Sequence, residues 1–411
     1  MPVRHLDRRA PASAHRGAPR VRSRFRLRTL LINYEYPPVG AGAATAAQAI
    51  ARSLVAAGHP STVLTTGLGD LVGTSDDGGI RVIRMASRRR RRESATISEM
   101  VSFMVHAGSA VRRIVRSERI EGIIAFFSFP SGPAAWWAHR KTGVPYVVSL
   151  RGGDVPGAEP GLALVHRFLS PFRRQILRSA RAVVANSPGL MDMSEKADPV
   201  AVHMIPNGVD TAFFVPAAPP RPKNPQPRLL FVGRFQAQKN LLWLLEQLAE
   251  IRRAAGLSFV LDLVGDGPLR PALSTRVHEL QLTDVVQFQG WKDRAELRAY
   301  YQAADLVINP SLYEGMPNVV LEAMACGRPV LASRVPGNDS AVVDRVTGWL
   351  FPLDDAAGFS DCVRTLLTRP DIGDELGISA RARAEREYPW ARTAQSYLEL
   401  LASPSPHSQI A

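Results

Sequence analysis

The stretch NPSLYEGMPNVVLEAMACGRPVLAS (residues 309–333) sets two glutamates, Glu314 and Glu322, in a segment that is otherwise mostly apolar. It predicts a strand end, a loop and then a helix that begins at Pro317 or Asn318, because proline fits the first helical turn and asparagine caps it. The amides of residues 315–318 then lie at the positive end of the helix, with Glu322 about one turn inside. A solvent-facing helix position would explain a lone glutamate, so the rest of the chain has to decide whether these carboxylates bind a ligand.

Buried-strand and helix patterns alternate on both sides of this stretch. The strand patterns are RLLFVG (228–233), FVLDLVG (259–265), VVQFQG (285–290), ADLVINP (304–310), PVLAS (329–333) and TGWLF (347–351), and a helix pattern occupies residues 241–254. Strands that alternate with helices of this length indicate crossover units and a parallel sheet. Ligands bind such sheets beyond the carboxyl ends of the strands, so chemistry is expected in the loops that follow them.

The first half of the chain has the same organisation. Its strand patterns are LRTLLINY (27–34), STVLTTG (61–67), IRVIRMA (80–86), GIIAFFS (122–128), VPYVVSL (144–150) and RAVVANS (181–187), with helix patterns at residues 42–59 and 97–116. A proline-rich stretch, VPAAPPRPKNPQP, separates the two halves. At 411 residues the chain is longer than one core usually supports, so two domains with a ligand cleft between them are expected.

We therefore predict an α/β protein with two Rossmann-like, doubly wound parallel-sheet domains that face each other across a cleft. The predicted divisions are a basic disordered tail (1–26), an N-terminal domain (27–215), a proline-rich linker (216–227), a C-terminal domain (228–385), a helix that crosses back to the N-terminal domain (386–402) and a second tail (403–411).

Composition narrows the class of protein. Hydrophobic residues make up 45% of the chain, and no apolar run is long enough to cross a bilayer. The N-terminus lacks the apolar segment and cleavage site of a signal peptide. Two cysteines, Cys326 and Cys362, are too few for a disulfide framework or a metal cluster and suit a reducing compartment. These features predict a cytoplasmic protein.

The net charge of +14 is concentrated near the N-terminus. Residues 1–92 contain 17 arginines, no lysine and 5 acidic residues, including the unbroken run Arg88 to Arg92. Such a density of like charge predicts a solvated tail and loop, or else segments that bind an anionic membrane surface peripherally, on its inner face. Nucleic acid is not predicted as a partner, because no aromatic residues alternate with these arginines as stacking platforms.

Two loops carry residues suited to phosphate. Gly40, Gly42 and Ala44 match the pattern G-x-G-x-x-A before a helix, which predicts a close approach of the backbone to phosphate or sugar, or a tight turn with no ligand. Arg234 and Lys239 lie between a strand end and a helix that Asn240 could cap. Two cations beside a helix N-terminus form a site for a diphosphate, although two surface charges would give the same pattern.

Together these residues resemble glycosyltransferase family 4, whose members are retaining nucleotide-sugar enzymes of the GT-B fold. The resemblance covers about residues 27–392. Its most specific part is residues 309–333, supported by VGRFQAQKN (232–240), VGDGP (264–268), IPNGVD (205–210) and VTGWLFP (346–352).

The resemblance implies a role for each matching residue. Arg234 and Lys239 would bind the donor diphosphate, Glu314 would contact the transferred sugar, and Glu322 would bind the ribose. The other donor-binding positions that it implies are Gly40, Gly42, Gly233, Gly265, Gly290, Trp291, Gly315, Met316, Pro317, Asn318 and Val319. The sequence QGWK (289–292) would hold the base. The motif RGGD, with Arg151, Gly152 and Asp154, would lie on the acceptor or sugar side.

One departure from the family concerns Arg151. Many relatives have histidine at this position, and arginine cannot act as a general base because it stays protonated. A retaining mechanism at the front face does not need a protein base, because the departing phosphate oxygen can take the acceptor's proton. Arg151 then suggests an anionic group on the sugar, the phosphate or the acceptor.

The resemblance implies a retaining transferase that needs neither metal nor cofactor. It would move a sugar from a UDP- or GDP-linked donor, bound by the C-terminal domain, to a glycan, lipid-linked or small-molecule acceptor at the N-terminal domain. The expected setting is synthesis of cell-surface polysaccharide or glycoconjugate. The alternatives are a GT-B epimerase and a non-catalytic subunit that binds nucleotide or sugar.

Overall fold

The computed structural model describes residues 26–40, 42–92, 95–157, 163–218 and 224–403. Most of the two predicted tails and residues 219–223 of the predicted linker lie outside these residues.

The N-terminal half forms an eight-stranded sheet in the order β3-β4-β2-β1-β5-β6-β7-β8. The strands are β1 (Thr29–Ile32), β2 (Ser61–Thr66), β3 (Gly73–Asp77), β4 (Ile80–Met85), β5 (Gly122–Phe126), β6 (Tyr146–Ser149), β7 (Ala182–Ala185) and β8 (Val202–Met204). All neighbours are parallel except β3, which is antiparallel to β4. The sequence did not predict β3, because it is polar and largely exposed, so it lacks the apolar alternation of a buried strand.

Helices cover both faces of this sheet. They are α1 (Gly42–Ala56), α2 (Ile97–Ser117), α3 (Gly132–Thr142), α4 (Ala163–Ser179) and α5 (Pro188–Ala197). One core cluster joins α2, α3 and α4 to one face, and a second joins α1 to the opposite face. The alternation of buried strands and amphipathic helices therefore produces the three layers that it predicts.

The C-terminal half forms a six-stranded, fully parallel sheet in the order β11-β10-β9-β12-β13-β14. Its strands are β9 (Arg228–Val232), β10 (Val260–Val264), β11 (Val286–Gly290), β12 (Leu306–Asn309), β13 (Val330–Ser333) and β14 (Trp349–Phe351). Its helices are α6 (Leu241–Ala255), α7 (Arg270–Glu279), α8 (Arg294–Ala303), α9 (Asn318–Ala325), α10 (Pro336–Ala341), α11 (Ala356–Thr368) and α12 (Pro370–Glu387). The six strands predicted in this half are all present, and the predicted fold class is confirmed.

The chain crosses between the two halves in two adjacent places. After β8 it passes through residues 205–218, where Val209 and Phe214 enter the core of the C-terminal half. It returns through Tyr388 and Pro389 into the last helix, α13 (Trp390–Ala402), which packs on the N-terminal half in the same cluster as α1. The two crossings contact each other, since the amide of Val209 donates to the carbonyl of Tyr388 at 2.7 Å.

Helix α9 begins at Asn318, as predicted, but neither predicted asparagine cap forms. Asn240 occupies the N-cap of α6 but has left-handed backbone angles, and its side chain makes no capping bond. Asn318 is the first residue of α9 and Pro317 is its N-cap, so Asn318 does not cap the helix either. The Asn318 side chain instead accepts a hydrogen bond from Asn207, whose segment the sequence pattern did not bring near.

The run Arg88 to Arg92 is not uniformly solvated. Arg89 is buried, and its guanidinium donates to the carbonyl oxygens of Arg91 and Arg92 and lies over the ring of Tyr34. These carbonyls and the carboxylate of Glu35, 3.8 Å from the guanidinium, therefore stabilise a buried cation in the middle of a run of like charge. The side chains of the other four arginines are exposed.

Cys326 and Cys362 are free and buried. None of the helices in the described part of the chain combines the length and apolarity needed to span a bilayer.

Candidate active site

Lys239 and Glu314 form an ion pair at the carboxyl edge of the C-terminal sheet. Lys239 ends a short turn after β9, and Glu314 follows β12, which is the neighbour of β9. Lys239 Nζ lies 2.5 Å from Glu314 Oε1, and the two side chains are only 14% and 8% exposed. Arg234, in the same loop as Lys239, is exposed and makes no ion pair with any described residue. The loops therefore present one cation held in place and a second that is open to an anionic ligand.

A buried polar network fixes the loop that carries Glu314. Ser311 Oγ lies 2.7 Å from both Glu314 Oε1 and Asn309 Oδ1. Asn309 Nδ2 donates to Asn338 Oδ1, and Asn338 Nδ2 donates to the carbonyl of Ser333. Because every polar side chain of this network is bonded, the loop has little freedom to reorganise when a ligand binds.

Glu322 lies one turn inside α9 and accepts a hydrogen bond from Tyr301 Oη at 2.9 Å. Tyr301 is fully buried on α8, and Glu322 itself is partly buried. Burial raises the pKa of Glu322 to about 7, although the Tyr301 hydroxyl and the charge of Arg294 act in the opposite direction. This glutamate is not on a solvated helix face, so a solvent-facing helix position does not explain it.

Glu322 opens into a cavity between the two halves of the molecule. The cavity has a volume of about 990 Å³, which suits a nucleotide-sized ligand. From the C-terminal half it is lined by Trp291, Arg294, Asn318 and Glu322, and from the N-terminal half by residues that include Gly40, Gln48, Arg52 and Arg92. Trp291 is 76% exposed, so its ring is available to a ligand. Four of the predicted donor-binding residues thus meet in one cavity.

Three of the predicted donor-site glycines bring strand-end loops close together. The amide of Gly233 donates to the carbonyl of Val264, and the amide of Gly265 donates to the carbonyl of Gly290. All three glycines have positive φ angles. A Cβ on Gly265 would lie 2.0 Å from the carbonyl oxygen of Gly233, so no side chain fits there. Close packing between loops explains Gly265, with or without a ligand.

On the opposite wall, Gly40 and Gly42 serve different contacts. Gly40 has φ +100, and a Cβ there would lie 2.6 Å from the Glu35 Cβ. Its amide donates to the carbonyl of Arg92. A Cβ on Gly42, at the start of α1, would lie 3.5 Å from Asn318 Nδ2. Gly42 therefore lies where the N-terminal half meets the first turn of α9.

The residues around the first turn of α9 occupy the junction between the two halves. Met316 and Pro317 are buried, whereas Gly315, Asn318 and Val319 are partly exposed. The amides of Val320 and Leu321 approach the carbonyl of Pro317, and the dipole of the helix favours negative charge at this end.

Two side chains of the RGGD motif, those of Asp154 and Arg151, make hydrogen bonds that hold the surrounding loops in place. The carboxylate of Asp154 is buried and accepts hydrogen bonds from the amides of Ser128, Arg151 and Gly152, so it shapes the loop. The Arg151 guanidinium lies over the ring of Phe126 and donates to Asn207 Oδ1 at 2.6 Å. Arg151 Nε is buried and has no partner among the described residues.

Asn207 connects Arg151 to the first turn of α9. Its Nδ2 donates to Asn318 Oδ1 at 2.9 Å and approaches the carbonyl of Met316 at 3.4 Å. A chain of hydrogen bonds therefore runs from the RGGD loop to the first turn of α9. Asn207 belongs to the motif IPNGVD, whose presence in the sequence was noted but whose function was not predicted.

The sequence also did not identify Tyr301 and Asn309 as residues of the site. Asn309 ends a strand, and a polar residue at that place is a usable signal. Tyr301 gives no such signal, because an aromatic residue on an amphipathic helix is usually a core residue.

Comparisons with known proteins agree with this architecture. The family model "Glycosyl transferases group 1" matches residues 226–369, and the model "Glycosyl transferase 4-like domain" matches residues 41–208. The chain is 33% identical over 322 residues to a D-inositol 3-phosphate glycosyltransferase of Kineococcus radiotolerans, covering 69% of this chain and 72% of that protein.

Two solved structures have the same fold over 92% of this chain and all of theirs. One is a sucrose-phosphate synthase from Thermosynechococcus elongatus, with a TM-score of 0.78 and 24% identity. The other is Anabaena Alr3699/HepE in complex with UDP-glucose, with a TM-score of 0.71 and 18% identity.

Two Rossmann-like domains with a cleft between them and a polar site at the carboxyl edge of the second sheet define the GT-B fold. The chain belongs to glycosyltransferase family 4, the group 1 glycosyl transferases.

Proposed function

We propose that the protein is a retaining glycosyltransferase that moves a sugar from a UDP- or GDP-linked donor to an acceptor held at the N-terminal domain. The observation that supports this most directly is the nearly buried Lys239–Glu314 ion pair beside the exposed Arg234, at the carboxyl ends of β9 and β12. It provides cations for a diphosphate and a carboxylate for sugar hydroxyls in one place.

The donor then occupies the C-terminal side of the cleft. Arg234 and Lys239 bind the diphosphate, and Lys239 can do so without releasing Glu314 because an ammonium group has three donors. Glu322 accepts hydrogen bonds from the ribose hydroxyls, and the base lies against Trp291. Glu314 accepts from a hydroxyl of the transferred sugar.

Transfer breaks the bond between the anomeric carbon and the phosphate oxygen, and the acceptor oxygen forms its bond on the same face of the sugar. The acceptor's proton passes to the departing phosphate oxygen, so Arg151 has no proton to move. Negative charge grows on the diphosphate during this step, where Arg234, Lys239 and the amides of α9 are already oriented to stabilise it. We propose that these groups supply the positive charge that the leaving group needs, and that the reaction requires no metal ion.

The acceptor belongs to the RGGD side of the cleft, where Arg151 carries a buried positive charge. One relative is named for a phosphorylated inositol, which supports an anionic acceptor or one that carries phosphate. A glycan or a lipid-linked sugar is compatible with the same position. The proposed setting is the synthesis of cell-surface polysaccharide or glycoconjugate in the cytoplasm, at the inner face of the membrane.

Single-turnover transfer from a panel of UDP- and GDP-linked sugars, together with calorimetric binding of UDP and GDP, tests the proposal. Arg234→Ala and Lys239→Ala should each cost roughly 2 to 4 kcal/mol of transition-state stabilisation, by analogy with lost oxyanion donors. Glu314→Gln should lower turnover while nucleoside diphosphate affinity stays close to that of the wild type. Arg253→Ala, which removes an exposed cation of α6, is the matched control and should change neither quantity.

The anomeric configuration of the product separates retention from inversion, and activity in the presence of EDTA tests metal independence. Tight binding of a donor with no transfer and no hydrolysis would instead identify a non-catalytic binding subunit.

A further inference from the structure

Large apolar side chains are exposed at helical spacing on the outer surface of the N-terminal domain. On α4 these are Leu164, Phe168 and Phe172, of which Phe168 is 83% and Leu164 71% exposed. On α2 they are Ile97, Val101 and Val105, which are 46% to 62% exposed. In both helices the spacing is four residues, so each set forms one stripe. Isolated exposed apolar residues are ordinary, but α2 and α4 both pack against α3 on the same face of the sheet, so the two stripes lie on one layer and form a patch together with α3.

Aromatic side chains continue this patch across α3. Phe172 makes an edge contact with Trp136 at 5.5 Å between ring centres, and Trp137 is 41% exposed. Arg140 lies over the ring of Trp136, and Lys141 Nζ lies 4.5 Å from the centre of Trp137. Tryptophan and phenylalanine next to arginine and lysine are the side chains that prefer the boundary between lipid headgroups and acyl chains.

The exposed charged side chains of α2, α3 and α4 are all positive. Their exposed cations are Arg112, Arg113, Arg116, Arg140, Lys141, Arg167, Arg174 and Arg178. Glu99 is the only acidic residue in α2, α3 and α4, and it is buried, where it accepts from the amides of Thr96 and Arg90. The outer surface of these described helices therefore exposes cations and apolar groups but no carboxylate.

We propose that this outer surface of α2, α3 and α4, the helix face, docks on an anionic lipid bilayer. Leu164, Phe168 and Trp137 enter the interfacial region, and the surrounding arginines bind lipid phosphates. Charge complementarity favours this occupant, because a surface with eight cations and no exposed acid repels a second copy of itself. The helix face carries the membrane contact with residues other than the N-terminal tail.

The helix face adjoins the acceptor side of the cleft. His166 of α4 contacts the carbonyl of Gly153 in the RGGD motif at 3.1 Å. At the other end, the amide of Arg90 donates to Glu99 of α2, and Arg92 reaches the wall of the interdomain cavity. A bilayer under the helix face would therefore present a lipid-linked acceptor beside the cleft. This consequence rests on the proposed glycosyl transfer, whereas docking itself does not.

Vesicle flotation of the full chain tests docking without donor or acceptor. The wild type should bind vesicles that contain phosphatidylglycerol and should bind pure phosphatidylcholine weakly. The variant Leu164→Gln/Phe168→Gln should lose about tenfold in partitioning, since two large side chains no longer enter the interface. Ile378→Gln/Val346→Gln, at similarly exposed positions of the C-terminal domain, is the matched control and should bind as the wild type does.

A second pair of variants tests charge. Arg167→Gln/Arg178→Gln should weaken binding to the anionic vesicles, while Arg364→Gln/Arg369→Gln on the C-terminal domain should not. Deletion of residues 2–25 should leave at least the part of the binding that depends on Leu164 and Phe168. Transfer to a short water-soluble acceptor should be equal for all these variants, which keeps a failure of docking distinct from a failure of the proposed reaction.

Three results would overturn the proposal. These are equal binding to both vesicle compositions, unchanged binding of Leu164→Gln/Phe168→Gln, or binding that disappears with the N-terminal deletion alone. A dimer in solution that Leu164→Gln/Phe168→Gln converts to a monomer would also overturn it, because the helix face would then be an interface between copies of this chain.

Discussion

At the residue scale, Glu322 has two requirements that oppose each other. A carboxylate that grips vicinal hydroxyls works best when it is ionised, yet burial beside Tyr301 favours its neutral form. The Tyr301 hydroxyl compensates in part, because it donates to the ionised carboxylate. The ionisation of Glu322 therefore changes within the physiological range of pH, around a pKa of about 7.

Nucleoside diphosphate affinity should accordingly depend on pH. If the ionised Glu322 binds the ribose, affinity is complete above pH 7 and falls as the pH drops through 7. Glu322→Gln should bind more weakly than the wild type at pH 8 and should lose most of this pH dependence. Calorimetric titration of both proteins from pH 6 to 8 measures the difference, and subtraction removes the titration of the ligand's own phosphate.

The free energy of unfolding should change with pH in the opposite direction. Because the folded protein raises the pKa of Glu322 above its unfolded value of 4.5, the neutral form costs nothing below pH 4.5, and stability is lost as the pH rises through 7. Glu322→Gln should thus be more stable than the wild type at pH 8 by about 3 kcal/mol, with little difference at pH 4.5. Equal denaturation midpoints for Glu322→Gln and the wild type at both pH values would contradict the raised pKa of Glu322.

At the element scale, three loops after β9, β10 and β11 behave as one unit. Amide-to-carbonyl bonds join Gly233 to Val264 and Gly265 to Gly290, and a fourth loop, after β12, is joined to them through Lys239 and Glu314. The absence of a side chain at Gly265 is what lets the first two loops approach. The geometry of the proposed diphosphate site thus depends on residues that do not have to touch the donor.

Gly265→Ala should therefore destabilise the protein by about 3 kcal/mol or more, since its Cβ would overlap the Gly233 carbonyl and φ is +133. Gly256→Ala is the matched control: its φ is also positive, at +61, but nothing lies within 4 Å of its Cβ, so the cost should be about 1 kcal/mol. Urea denaturation measures both. A similar cost for the two variants would show that backbone angle alone, and not the loop contact, requires glycine at position 265.

The elements themselves were largely predictable from the sequence. Five strands of the C-terminal sheet are short, mostly buried apolar runs, which makes them recognisable in the sequence, whereas the edge strand β11 is polar and largely accessible. The first turns of α6 and α9 were not predictable in detail, because the side chains of Asn240 and Asn318 lack the capping bonds that their local sequence suggests. For Asn318 a partner from another part of the chain, Asn207, takes the place of the local bond.

At the scale of the whole molecule, Asn207 joins the two halves of the site. It accepts from Arg151 on the proposed acceptor side and donates to Asn318 on the proposed donor side. The position of Arg151 in the motif could be read from the sequence, but this connection could not, since it depends on how the two domains meet. The bonds give a physical route by which occupancy of one side can influence the other.

A double-mutant cycle tests this connection. Asn318→Ala should lower kcat/KM by about tenfold, and Asn207→Ala should lower it further because it also removes the bond from Arg151. The double variant should be little worse than Asn207→Ala, because the bond between Asn207 and Asn318 is then already lost. Gln238→Ala, whose amide joins two loops within the C-terminal domain, is the matched control and should combine additively with Asn207→Ala. Additive losses for Asn207 and Asn318 would show that the hydrogen bond between them does not couple the two sides.

The position of α13 in the sequence affects the order in which the N-terminal domain can fold. Since α13 is made after the entire C-terminal domain yet completes the cluster around Leu31 and Ala47, the N-terminal domain cannot finish its own core until α13 leaves the ribosome. An N-terminal fragment ending before the proline-rich stretch would expose that surface, whereas a circular rearrangement of the gene that places residues 390–402 ahead of β1 would supply the missing helix first. The two sheets are separate, but folding of the N-terminal domain depends on α13, which follows the C-terminal domain in the chain.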